Sequence, residues 1–147
     1  MKTIRRFELR VERVRLENLT APYGSVIDNS RRAFVAVRSL IGDLEQEVMI
    51  VLHLNARGRL VGYHEAGRGS MTQVALDLRS IFRTALVAGA ASIILAHNHP
   101  SGDVSPSEQD DVFSALEVAK IVGVPIVDHV IVATEGFWSY ADADRLR

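Results

Sequence analysis

The sequence predicts an α/β domain in which helices pack against a mixed β-sheet, and three observations carry that prediction. Segments with apolar residues three to four apart alternate with segments of β-branched character. One short segment, Ser92-Ile93-Ile94-Leu95-Ala96, is apolar almost throughout, as a central strand covered on both faces requires. The 147 residues are 48% hydrophobic with four prolines, the size and apolar content of one globular core.

Taken in order, residues 1–24 read as an N-terminal extension that ends in the turn-prone Ala21-Pro22-Tyr23-Gly24. Asp28-Asn29-Ser30 then supplies N-cap candidates, Phe34, Val37 and Ile41 mark one apolar helix face, and Gly42 supplies a stop. Val48 to Leu54 and Arg59 to Glu65 read as two strands joined through Asn55-Ala56-Arg57-Gly58. A second helix is expected from Asp77 as cap through Leu78, Ile81, Phe82, Ala85 and Leu86, with Gly89 ending it. After the buried strand at Ser92, a third helix is expected from about Pro106 to Val122, closed by Gly123. Val124 to Ala133 reads as another strand, followed by a Glu135-Gly136 turn and a short strand from Phe137 to Tyr140.

Composition narrows the function. No apolar run approaches the roughly 18 residues that a spanning helix takes, and the N-terminus lacks the apolar stretch of a signal peptide. A cytoplasmic protein without membrane contact is the expectation. The chain has no cysteine, so disulfides and thiolate-bound metals are excluded and a metal would sit on histidine and carboxylate. The net charge of −1 is unevenly spread, with Lys2, Arg5, Arg6, Arg10, Arg13 and Arg15 outweighing Glu8 and Glu12 near the N-terminus. Such a segment suits contact with nucleic acid or an acidic partner, but its alternation with hydrophobic residues equally suits a solvated face.

The chemistry concentrates in His97-Asn98-His99-Pro100-Ser101-Gly102, where the buried strand ends. Pro100 disfavours helix at His99, so His97 and His99 lie on extended backbone and point to one side. The next helix offers a third ligand. Ser105-Pro106-Ser107-Glu108 has the form of a capping box with proline at the first helical position, and Asp110 follows within that turn. Ser107 and Asp110 are three apart and share a helix face. On the histidines alone, two surface side chains beside a turn would serve as well. The proline, the glycine, the capped helix and the phased serine and aspartate together favour a zinc site with His97, His99 and Asp110 as ligands. Three ligands leave one position open for water, as catalytic zinc requires; the ion would acidify that water to a pKa near 7 and polarise a carbonyl.

The spacing His97-x-His99-Pro100, Ser107 and Asp110 resembles the JAMM metalloprotease motif, and His-Asn-His-Pro-Ser-Gly followed by Pro106-Ser107 is similar to the RadC-type branch of JAB/MPN domains. The likeness extends over about residues 25–147 as one domain. It includes Glu47 to Leu54, the Gly69-Ser70 pair, Arg79 to Leu86 and Asp128-His129-Val130-Ile131-Val132. The resemblance implies a cytidine-deaminase-like three-layer fold, a mixed sheet flanked by α-helices, and a zinc-dependent hydrolase that cleaves a peptide or isopeptide bond. It implies that an upstream glutamate acts as general base. Glu47 is the assignment and Glu65, at the end of the next strand, the rival, since sequence distance does not decide which reaches the metal-bound water. It also implies that Ser107 steadies the oxyanion of the tetrahedral intermediate. His129, beside Asp128, reads as a structural histidine with no ligand role, and His53 and His64 are weaker candidates still.

The chain departs from the branch at Ser70, in place of a threonine, and at Leu78 and Ser80, in place of the proline and glutamate of a Pro-Arg-Glu helix start. Longer RadC proteins carry an N-terminal helix-hairpin-helix region, for which 147 residues leave no room. The expected partner is therefore a protein or peptide substrate, with nucleic acid weakly supported. The alternative function is a DNA-repair-associated accessory protein with a non-catalytic zinc site. Base deamination is set aside, because that chemistry uses cysteine ligands.

Overall fold

The computed structural model describes residues 3–6, 8, 10–12, 21–69, 77–107 and 112–147. Its elements in chain order are α1 (Ser30–Ile41), β1 (Val48–Leu54), β2 (Leu60–Arg68), α2 (Leu78–Val87), β3 (Ser92–Asn98), α3 (Phe113–Val122), β4 (Ile126–Val132) and β5 (Phe137–Ser139). The five strands form one sheet in the order β2-β1-β3-β4-β5. β1 pairs antiparallel with β2 and β3, β3 pairs parallel with β4, and β4 pairs antiparallel with β5, so the sheet is mixed as predicted.

β3 is central, and its alternating side chains feed two cores. Ile94 and Ala96 join Val48, Ile50, Leu52, Val130 and Val132 beneath α1, which contributes Phe34, Val37 and Ile41. Ile93 and Leu95 join Met49, Val51 and Ile131 beneath α2 and α3, which contribute Ile81, Phe82, Ala85, Ala115 and Ala119. This is a three-layer arrangement, and it explains why the β3 segment is apolar on both faces. Each fully buried side chain such as Ile81 or Leu95 contributes about 1.5–3 kcal/mol, while Ala115 and Ala119, one turn apart, let α3 approach the sheet closely.

The caps follow local chemistry. Asn29 accepts the Arg32 N–H at the start of α1, and Asp77 accepts from Arg79 and Ser80 at the start of α2. Gly42 ends α1 with ordinary right-handed backbone (φ −62°). Its glycine requirement is close approach, because a Cβ there would stand 2.7 Å from the Arg38 carbonyl oxygen. In the β1–β2 turn the Asn55 Oδ1 accepts from the N–H groups of Arg57 and Arg59. β2 runs three residues past the predicted Glu65, and β3 two past Ala96, so His97 and Asn98 belong to the strand. Ala21 and Ile27 pack into the α1-side core.

The start of the third helix is corrected. α3 begins at Phe113, and Ser105, Pro106 and Ser107 have no regular secondary structure. The Asp103 Oδ1 accepts the Ser105 N–H at 2.9 Å, a side-chain turn that takes the donor the predicted cap would have aligned with a helix. Residues 108–111, including Glu108 of the expected capping box and Asp110, lie outside the described residues. No described helix is long and apolar enough to cross a membrane.

Candidate metal centre

The site begins at the C-terminal end of β3. His97 pairs with Met49 of β1 and Ile131 of β4, which places it on the face covered by α2 and α3. His99 follows the strand, its N–H still donating to the Val132 carbonyl at 2.9 Å, so the extended backbone continues through it. Two-residue alternation then brings both imidazoles to one side. The two Nε2 atoms lie 3.0 Å apart, with His97 fully buried and His99 half-buried.

A turn holds His99 there. The Gly102 N–H donates to the His99 carbonyl at 3.0 Å across Pro100-Ser101, and Gly102 adopts φ +85°, which a side chain would strain. Beyond the turn, His99 Nδ1 lies 2.7 Å from the Asp103 carbonyl oxygen. A carbonyl only accepts, so Nδ1 carries the proton and Nε2 keeps its lone pair. Hydrogen bonds from Ser105 hold the exposed Asp103 carboxyl below the usual carboxylate range.

This donor set fits a zinc ion. Two imidazole nitrogens on one tetrahedral zinc stand about 3.3 Å apart, given bond lengths of about 2.0–2.1 Å, close to the spacing found here, which also suits a proton shared between the rings. A protein acceptor on the remote nitrogen is what a ligating imidazole uses to fix its tautomer. Among the described residues no third histidine, aspartate or glutamate completes a cluster of three. Asp110, the expected third ligand, lies outside them. Ser107 is exposed, on the irregular segment that leads toward α3.

The two glutamates lie on opposite sides of the sheet. Glu47 precedes β1 by one residue, and its carbonyl accepts the Gly69 N–H at 2.9 Å, so strand alternation directs its side chain to the face of Met49, the register partner of His97. It is buried, at 9% exposure. Glu65 instead opposes Ile50, whose side chain belongs to the α1-side core. A bulge between Met49 and Ile50 inserts Ala66, which brings Glu65 and Arg68, three apart, to the same face. There the Arg68 Nε donates to Glu65 Oε1 at 2.8 Å.

Two residues enter the site that sequence reasoning missed or left aside. Asn98, between the two histidines, alternates to the opposite face and is 1% exposed. Its Oδ1 accepts the Val48 N–H at 2.7 Å, and its Nδ2 donates to the carbonyls of Gln46 at 3.0 Å and Leu44 at 3.3 Å. It thereby stitches the loop that carries Glu47 to the strand that carries the histidines. The available signal was the phase itself, since a polar side chain on a central strand's inward face must find partners. His129 is the other: its Nε2 lies 2.7 Å from His97 Nδ1. Asp128 next to it accepts from the His129 and Ala141 N–H groups and from Ser139 Oγ, and burial pushes its carboxyl up against the pull of those bonds.

His53 and His64 form a separate pair. His64 Nε2 donates to the Ser80 carbonyl at 2.9 Å, and His53 Nε2 lies 2.8 Å from His64 Nδ1. They sit toward the other end of β1, His53 being four residues, or roughly 13 Å of strand, from the partner of His97.

The family model for the RadC-like JAB domain matches residues 27–145. A UPF0758 protein of Porphyromonas gingivalis is 37% identical over 135 residues, covering 90% of this chain and 60% of the relative. One from Burkholderia ambifaria is 41% identical over 112 residues, covering 75% of this chain and 43% of the relative. A third, from Burkholderia vietnamiensis, is 42% identical over 112 residues. The chain thus spans about half the length of these relatives. With the model match extending over most of its residues, the chain belongs to the RadC-like JAB domain family.

Proposed function

We propose that this domain is a zinc-dependent hydrolase of the JAMM type that cleaves a peptide or isopeptide amide bond. The observation that carries the reading is the convergence of His97 Nε2 and His99 Nε2 at 3.0 Å, with the Nδ1 proton of His99 committed to the Asp103 carbonyl. His97, His99 and Asp110 would hold the ion. Zinc in such a site polarises an amide carbonyl and acidifies water near neutral pH.

The chain's own residues supply the rest. The Glu47 carboxylate takes a proton at one Oε atom from the attacking water and returns it to the departing amine nitrogen, so that the carboxylate is regenerated. Its burial and its place on the face of His97 support this role over Glu65, which is turned to the other face and paired with Arg68. Ser107 Oγ donates a hydrogen bond to the oxyanion that develops as the carbonyl carbon becomes tetrahedral, a term worth about 3–4 kcal/mol where measured in other hydrolases. The substrate is a protein or peptide.

The test is metal content by mass spectrometry on protein purified without chelator, beside the double variant His97→Ala, His99→Ala. About one zinc per chain is expected, lost in the variant. Glu47→Gln should retain the zinc and lower hydrolysis of a peptide or isopeptide substrate by about 10²- to 10⁴-fold. Folded, zinc-supplemented protein that takes up no metal refutes the reading.

A further inference from the structure

We infer that His129 is a positioning residue that holds His97 in its metal-binding tautomer; the inference rests on the zinc reading above. An imidazole with one ring nitrogen on a metal carries its proton on the other, and that proton needs an acceptor. For His97 the convergent nitrogen is Nε2, so the proton belongs on Nδ1. Facing Nδ1 is the Nε2 of His129, 2.7 Å away and 32 residues distant in sequence. It accepts only while its own proton stays on Nδ1. The tautomer of a residue on the neighbouring strand therefore sets which nitrogen of His97 offers a lone pair.

The surroundings hold His129 to that task. It is fully buried, its N–H donates to Asp128 Oδ1 at 2.7 Å, and its ring stacks on Tyr140 with centroids 4.8 Å apart and planes 6° from parallel. Tyr140 is itself fully buried, and its N–H donates to the His129 carbonyl at 3.0 Å. Burial and stacking together hold the ring beside His97. Both histidines come from adjacent parallel strands, so the sheet itself sets their separation.

The experiment compares the unsubstituted chain with His129→Phe, which keeps a ring but no nitrogen, and His129→Gln, whose amide oxygen accepts from the ε position. Zinc affinity is read by competition with a chromophoric chelator, and fold by thermal denaturation. His129→Phe should bind zinc about 10- to 100-fold more weakly, and His129→Gln should recover most of the loss. Long-range ¹H–¹⁵N spectra of the zinc-loaded, unsubstituted protein should show His97 and His129 both protonated at Nδ1. Finding His129 protonated at Nε2 overturns the inference, and this holds even if the phenylalanine variant fails to fold. Equal zinc affinity in a folded His129→Phe variant overturns it too while leaving the zinc reading intact. Absence of zinc uptake by the folded unsubstituted chain overturns both.

Discussion

Acidification should destabilise this protein through His53. That side chain is 3% exposed, and it sits at the head of a chain of neutral donors: His53 Nε2 to His64 Nδ1 at 2.8 Å, then His64 Nε2 to the Ser80 carbonyl at 2.9 Å. Burial, and then repulsion from His64, lower its pKa from 6.5 to about 4. Burial also lowers His64, against the pull of its bond to Ser80. In the unfolded chain His53 takes its proton near 6.5, in the fold only near 4, so the unfolded state binds more protons between those values. The stability it contributes is complete above pH 6.5 and is lost as pH falls toward 4. At about 1.4 kcal/mol per pH unit, the loss is about 2 kcal/mol at pH 5 and about 3 kcal/mol at pH 4. That is a large share of the 5–15 kcal/mol typical of a domain.

The assay is urea denaturation of the unsubstituted protein and of His53→Gln at a series of pH values from 7.5 to 4.5. Glutamine keeps a donor at the ε position but does not titrate. Its packing defect is a constant offset, whereas carboxylates such as Asp128 titrate in both proteins and cancel in the difference. The gap between the two stabilities should shift by about 2 kcal/mol between pH 7.5 and 5 in favour of the variant. Parallel curves would refute the argument that the buried pair is held neutral.

Two further substitutions test the placement of the site. Asn98→Ala strips the Val48 N–H and the Gln46 and Leu44 carbonyls of their partner, and should destabilise by about 2–4 kcal/mol; faster amide exchange at Val48 would accompany it, and unchanged exchange would show that the bond is dispensable. Glu65→Gln removes only an exposed pairing with Arg68 on the far face and should leave zinc content and hydrolysis unchanged within about twofold, in contrast to Glu47→Gln. A loss of hydrolysis in that variant would reverse the assignment of the base.

Much was legible from the sequence because it depends on neighbours along the chain. Caps at Asn29 and Asp77 sit where their side chains reach the next N–H groups, and the β1–β2 turn follows from Asn55 and Gly58. The apolar run at β3 announces a strand covered twice, and the spacing of His97 and His99 brings them to one side whatever the sheet order. The start of α3 was misread even though the interaction is local. Pro106 and Ser107 have the composition of a helix start, yet Asp103 draws the Ser105 N–H into a turn of its own, and a pattern of preferences does not rank two such competitors.

What the tertiary structure decided is which face each strand presents and what stands across from it. Alternation with period two states that Glu47 and Met49 agree and that His97 and Asn98 differ, but not which helices cover either side. The register that sets Glu65 opposite Ile50, three residues along the strand from Glu47, puts the two glutamates on different faces. Likewise His129 reads in its own segment only as a structural histidine. It meets His97 only because β4 lies parallel and adjacent to β3, a pairing between residues 32 apart that no local preference encodes.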